Sequence, residues 1–178
     1  MAQEISELVK RSYSSVPKYA EIMAGLPEDH KQIKTLRDLL EINYKIVEAK
    51  NQLRQNLISK IQRCDVKYPE IIGFEEDVIP ALDRAILACH DIMLVGQIGQ
   101  AKTKIVQTIS KHLLSPIPVI QGSITNDSPM DLPQDNMISL LEDQDNSVLS
   151  PKFYIDSNSM DKIRNNKLDT KIEWIEGE

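Results

Sequence analysis

Cysteine, aromatic residues and long apolar runs are scarce in this chain of 178 residues, and it has no excess of positive charge. Each scarcity removes a class of answer. Its two cysteines, Cys64 and Cys89, are too few and too far apart for a disulfide framework or a four-ligand zinc site. Each is expected to be a small buried apolar residue in a reducing compartment. Aromatics make up 4% of the chain, and the single tryptophan, Trp174, has no basic cluster around it in sequence. It reads as a packing residue rather than a platform for stacked bases. The longest apolar runs, such as 92–95, fall far short of the roughly 20 residues that cross a bilayer, so no membrane partner is expected. The N-terminal MAQEISELVKR places charges where a secretory signal needs an apolar stretch, which points to a cytoplasmic protein. Net charge is −6, made of +1 over residues 1–122 and −7 over 123–178. Neither part offers the basic face of a nucleic-acid binder.

What is present, 41% hydrophobic and 27% charged residues, fits one soluble domain or a domain with a helical extension. Residues 1–67 read as a helical extension. Between Asp29 and Arg63 there is no Gly or Pro, and apolar residues recur at Leu36, Leu39, Leu40, Ile46, Val47, Leu53, Leu57 and Ile61. That spacing predicts one long helix over about 29–63. Tyr68-Pro69 must end it, because proline removes an amide donor and pushes its predecessor out of helical geometry.

Residues 68–122 read as a compact βαβ unit. Val78, Leu82, Ala85, Ile86 and Ala88 repeat at helical spacing. The run 92–95 has the continuous apolar character of a buried parallel strand. Helical periodicity resumes over 103–114, and Pro118-Val119-Ile120 predicts a second strand. Residues 123–178 form an acidic, loop-rich tail in which over half of positions 123–160 are Ser, Asn, Asp or Pro. One short helix is expected near 137–141, and strands near 148–156 and 171–175.

The segment that carries chemistry is Gly96-Gln97-Ile98-Gly99-Gln100-Ala101-Lys102-Thr103. It matches the phosphate-binding loop G-x-x-x-x-G-K-[ST] except that Ala101 replaces the last glycine. Such a loop wraps main-chain amides around a phosphate at the positive end of a helix. Lys102 would neutralise β- and γ-phosphates, and the Thr103 hydroxyl would ligate Mg²⁺. Gly96 and Gly99 allow the close approach that a side chain would block. The alternative for Ala101-Lys102-Thr103 is an ordinary first turn of a helix.

Ile71-Ile72-Gly73-x-Glu75, the strand HDIMLVG and the loop G-x-x-G-x-A-K-T together resemble the start of the AAA+ module of MoxR-type and magnesium-chelatase-like ATPases. An alanine before the loop lysine is usual in MoxR-type proteins. The likeness covers roughly residues 68–133, and more thinly the closing DTKIEWIE. It implies an α/β fold with the parallel-sheet core of a P-loop NTPase, here incomplete. It also implies ATP and Mg²⁺ as cofactors, Ile71, Ile72 and Gly73 on the adenine side, and Gly96 to Thr103 on the phosphates. Neighbouring AAA+ subunits or a missing C-terminal half would be its partners, together with a remodelled client or a metal-insertion reaction.

A working ATPase of that kind also needs a strand ending in Asp-Glu, a sensor and an arginine finger, and none is recognisable. The nearest candidate, Phe153-Tyr154-Ile155-Asp156, has Ser157 where the catalytic glutamate would stand. Asp156 is better read as a strand-end or loop acid than as a metal-side acid. No catalytic residue is therefore assigned, and the expectation is ATP binding without unaided hydrolysis. Two other readings stay open. One is a non-enzymatic interaction protein that docks a partner on the long helix and keeps a relic loop. The other is a small P-loop kinase or GTPase, which lacks its guanine-reading and lid signatures. His30, His90 and His112 have no metal-ligand spacing. Asp127 and Asp131, without the rest of a calcium loop, read as solvated charges.

Overall fold

Thr35 opens the first helix whose start is fully capped. Its hydroxyl accepts from Asp38 N–H at 3.3 Å, while the Asp38 carboxylate accepts from Thr35 N–H at 3.0 Å, a reciprocal capping box. The computed structural model describes residues 2–14, 21–142 and 155–176. Within them lie seven α-helices: α1 (Ala2–Ser14), α2 (Leu36–Glu41), α3 (Ala49–Gln62), α4 (Val78–Leu87), α5 (Lys102–Leu113), α6 (Gln134–Glu142) and α7 (Ser157–Asn166). Four short strands join them: β1 (Glu21–Met23) pairs with β2 (Leu26–Pro27), and β3 (Ile117–Ile120) pairs with β4 (Ile172–Ile175). No described helix is long and apolar enough to cross a membrane.

The chain divides into two units. Of the described residues, the first comprises 2–14, 27–46, 117–142 and 155–175, the second 21–26, 47–116 and 176. In the first unit Val9 of α1, Leu36 and Leu40 of α2, Met137 and Leu141 of α6 and Ile163 of α7 share one buried cluster. A second, smaller cluster in this unit holds Leu39, Tyr44 and Ile172. Around it, Trp174 meets Tyr44 edge to face at 5.5 Å and donates its indole N–H to the Ile33 carbonyl at 3.2 Å, the packing role expected of it. In the second unit Leu57, Tyr68, Ile71, Leu82, Ile86 and Ile105 form the core between α3, α4 and α5.

Among the described residues the expected parallel-sheet core of a P-loop NTPase is absent, and the βαβ unit over 68–122 is not formed. Helices dominate, and β3 pairs antiparallel with β4, Val119 opposite Glu173 and Ile120 opposite Ile172. A strand exists only by pairing, and β3 is taken up in the first unit. The apolar run 92–95, in the second unit, is left without regular structure. Leu94 alone packs against the second unit's core, while Met93 and Val95 are 85% and 84% exposed.

The expected long helix over 29–63 is also interrupted. α2 stops at Glu41, Asn43 takes a left-handed φ of 55°, and Tyr44 N–H returns to the Leu39 carbonyl at 3.0 Å. Asparagine tolerates that conformation better than most residues. It turns Tyr44 fully into the cluster with Leu39 and Ile172, so helix resumes only at α3. The helix expected near 137–141 is present as α6, and the strand expected near 171–175 as β4. Of the strand expected over 148–156, only 155–156 are among the described residues, and they carry no regular structure.

Candidate functional site

Residues 96–103 lie in the second unit, where an exposed loop runs into α5. Gly99 adopts a φ of 86°, and Ala101, immediately before the helix, is left-handed at φ 52° and ψ 15°. No side chain caps this helix, and its first turn holds no acidic residue. Its leading amides are therefore left to solvent or to an anion, at the end where the helix dipole is positive.

Lys102 is folded back across the loop. Its ammonium donates to the carbonyl oxygens of Gly96 at 2.8 Å and Gln97 at 2.6 Å, joining the entrance of the loop to the start of the helix. Gln100 adds a second tie: its side-chain oxygen accepts from Gln97 N–H at 2.9 Å. A Cβ on Gly96 would fall 2.3 Å from that oxygen, so a side chain at 96 would displace the flexible Gln100 side chain and break its tie to Gln97. Spacing alone did not reveal this contact, because glutamine at that loop position carries no signal of its own.

The donor set fits a phosphate group: one ammonium, uncapped amides and the exposed Thr103 hydroxyl, with no carboxylate in the first turn to oppose an anion. A divalent cation fits only as the companion of such a phosphate. Among the described residues no group of three or more His, Cys, Asp or Glu could hold a metal ion.

The expected adenine-side residues divide. Ile71 is buried in the core of its unit, Ile72 is 83% exposed, and Gly73 takes a φ of 85° with its N–H donating to the Glu75 carboxylate at 3.0 Å. Only Ile72 offers a free apolar side chain. Among the described residues no hydrogen bond ties 71–73 to 96–103. Ile98 is fully exposed, as is the loop around it.

Glu70 organises the flank of α5. Its carboxylate pairs with Lys104, accepts from Lys111 at 3.4 Å and lies 3.5 Å from His112 Nε2. Hydrogen bonding from Lys104, then Lys111 and His112, holds this carboxyl down at about 2. Lys104 is thereby engaged away from the loop, which leaves Lys102 as the cation at its centre. Nearby, Lys67 and Tyr68 both donate to Asp83, the phenol at 2.8 Å. Burial pushes the Tyr68 phenol up, and the Asp83 carboxylate adds to the effect.

The remaining candidates have structural roles. Asp156 caps α7, its carboxylate accepting from Asn158 N–H at 3.0 Å. Asp127 is a buried loop anchor, against the expectation of a solvated charge. It accepts from Thr125 Oγ1 at 2.8 Å, Ser123 Oγ at 3.0 Å and Asp156 N–H at 3.2 Å. Burial raises its carboxyl, but hydrogen bonding from Ser159, then Thr125 and Ser123, and from the Asp156 amide outweighs that and holds it below the usual range. The cysteines also depart from expectation. Cys64 is exposed and left-handed at φ 57°, where it ends α3's last turn, and Cys89 is half-buried.

Comparison with protein-family models, curated proteins and solved structures returns no match. The resemblance to MoxR-type and magnesium-chelatase-like ATPases therefore rests on the sequence alone, over roughly residues 68–133 and more thinly at the closing DTKIEWIE.

Proposed function

We propose that this protein binds ATP by its phosphates at residues 96–103, as a cytoplasmic component of a larger assembly and without hydrolysing the nucleotide unaided. The observation that carries this reading is the placement of Lys102. Its ammonium sits over the loop on the oxygens of Gly96 and Gln97, at the mouth of a helix that has no side-chain cap. When phosphate enters, Lys102 exchanges those two neutral acceptors for a charged one, a hydrogen bond roughly twice as strong. Gln100 must release Gln97 N–H in the same movement, because both would use the same amide. Thr103 would hold Mg²⁺ together with the phosphate oxygens, and the ion would neutralise their charge.

Hydrolysis needs groups that this chain does not supply in recognisable form, so they belong to a neighbouring AAA+-type subunit or another partner. A remodelled client or a metal-insertion partner completes the proposal. The test is ATP binding with and without Mg²⁺, alongside a Thr103→Val variant and an assay of released phosphate. Mg²⁺-dependent binding that Thr103→Val weakens, with no phosphate release, supports the reading. Binding indifferent to both changes, or steady phosphate release by the chain alone, contradicts it.

A second reading, a non-enzymatic interaction protein with a relic loop, is favoured by the exposure of Met93, Val95 and Ile98. The interrupted helix over 29–63 no longer supplies its docking arm, and the apolar run takes that place. Absence of nucleotide binding, with self-association or partner binding lost in a Met93→Glu/Val95→Glu variant, would select it.

A further inference from the structure

The first unit carries a cationic feature unrelated to the loop. β4 gives one edge to β3: Lys171, Glu173 and Ile175 face it, as the Gln121 N–H bond to the Lys171 carbonyl at 3.0 Å requires. Ile172 and Trp174 face the opposite edge by the same alternation. There Ile172 N–H donates to the Lys34 carbonyl at 2.9 Å, and Thr35 bridges Lys171.

That second pairing stops after Ile172. The chain before Lys34 turns away, with Ile33 N–H bonded to the His30 carbonyl at 3.1 Å and Gln32 N–H to the Asp29 carbonyl at 2.8 Å. The main-chain N–H and C=O of Trp174 point to this edge and have no partner among the described residues. Beside them lies a cleft of about 460 Å³ whose lining includes Ile33, Ile172, Trp174, Lys31, Lys34 and Lys171. The three lysines are exposed, and among the described residues none of their ammonium groups has an ion-pair or hydrogen-bond partner. The one acid in the lining, Glu173, accepts from Gly122 N–H at 3.1 Å.

We propose that this cleft docks an extended acidic segment of another protein, added as a strand along the free edge at Trp174. Charge complementarity selects the occupant: three unpaired ammonium groups call for carboxylates. The unsatisfied N–H and C=O call for a partner whose own main chain is free, which an extended peptide has and a helix does not. A nucleic acid brings anionic charge but no backbone amide to pair with the edge.

Trp174 is the only tryptophan of the chain, so its emission reports this cleft directly. The full chain is titrated with a capped hexapeptide of alternating glutamate and valine. Three comparison probes are a lysine–valine hexapeptide, the glutamate–valine peptide N-methylated at alternate amides, and a single-stranded oligonucleotide. The expected result is a saturable change in emission with the first peptide alone. Affinity should fall about tenfold in a Lys31→Gln/Lys34→Gln/Lys171→Gln variant, since three exposed charge pairs are lost. Unchanged far-ultraviolet circular dichroism verifies that the variant is folded, and Lys102→Ala should leave this response intact, which separates it from nucleotide binding. No response to the acidic peptide, an equal response to the N-methylated or basic peptide, or a response to the oligonucleotide alone would overturn the proposal.

Discussion

Asn56 of α3 donates its side-chain amide to the carbonyl of Leu113, the last residue of α5, at 2.8 Å. The same amide reaches Ser115 Oγ at 3.3 Å, and its oxygen accepts from Ala24 N–H at 2.7 Å. One buried asparagine thus holds the end of the helix whose start is the candidate site. Asn56→Ala should destabilise the second unit by about 3 kcal/mol, because it strands buried partners without a hydrogen bond. Urea unfolding monitored by circular dichroism measures this. A loss under about 0.5 kcal/mol would show that water replaces the amide.

Glu70 supplies a pH test. Its carboxyl ionises at about 2 in the folded protein against an ordinary 4.5, chiefly through Lys104. A depressed acid stabilises the fold above the unfolded value and loses that contribution as pH falls through the folded one. The contribution should therefore be complete above pH 4.5 and disappear between there and about 2. Glu70→Gln should be less stable than the parent at neutral pH, with the gap closing across that window in acid unfolding series. A gap unchanged down to pH 2 would contradict the pairing.

Ala101 tests the loop backbone. An L-residue held at φ 52° carries about 1 kcal/mol of strain that glycine relieves. Ala101→Gly should stabilise the second unit or leave it unchanged, the chain-entropy cost of glycine offsetting part of the relief. Ala101→Val should destabilise it by more than about 1 kcal/mol, since a branched side chain is worse there. Thermal unfolding of the pair reads the difference, and equal midpoints would refute a left-handed residue at this position.

Helices set by local periodicity were legible in the sequence. α4 follows from Val78, Leu82 and Ile86, α5 from Ile105, Ile109 and Leu113, and α6 from the apolar positions around Met137. Features that depend on a distant partner were not. The periodicity of 29–63 runs through Asn43 unchanged, and only the docking of Tyr44 beside Leu39 and Ile172 shows that the chain turns there. The run 92–95 has the composition of a buried strand, but composition does not say which segment will pair. β3 is taken by β4, over fifty residues later. At the site, the glycines and Lys102 were legible from spacing. The Gln100 tie, the Glu70 cluster and the free edge at Trp174 each join residues whose types carry no motif.

The central claim is that Lys102 holds phosphate. Its most direct test is titration calorimetry of MgATP into the full chain and into Lys102→Ala. The account predicts measurable binding by the parent and a loss of about tenfold or more in the variant, the worth of one charge-assisted hydrogen bond. Equal affinities in the two proteins, or no heat in either, would contradict it and leave the loop an ordinary helix entrance.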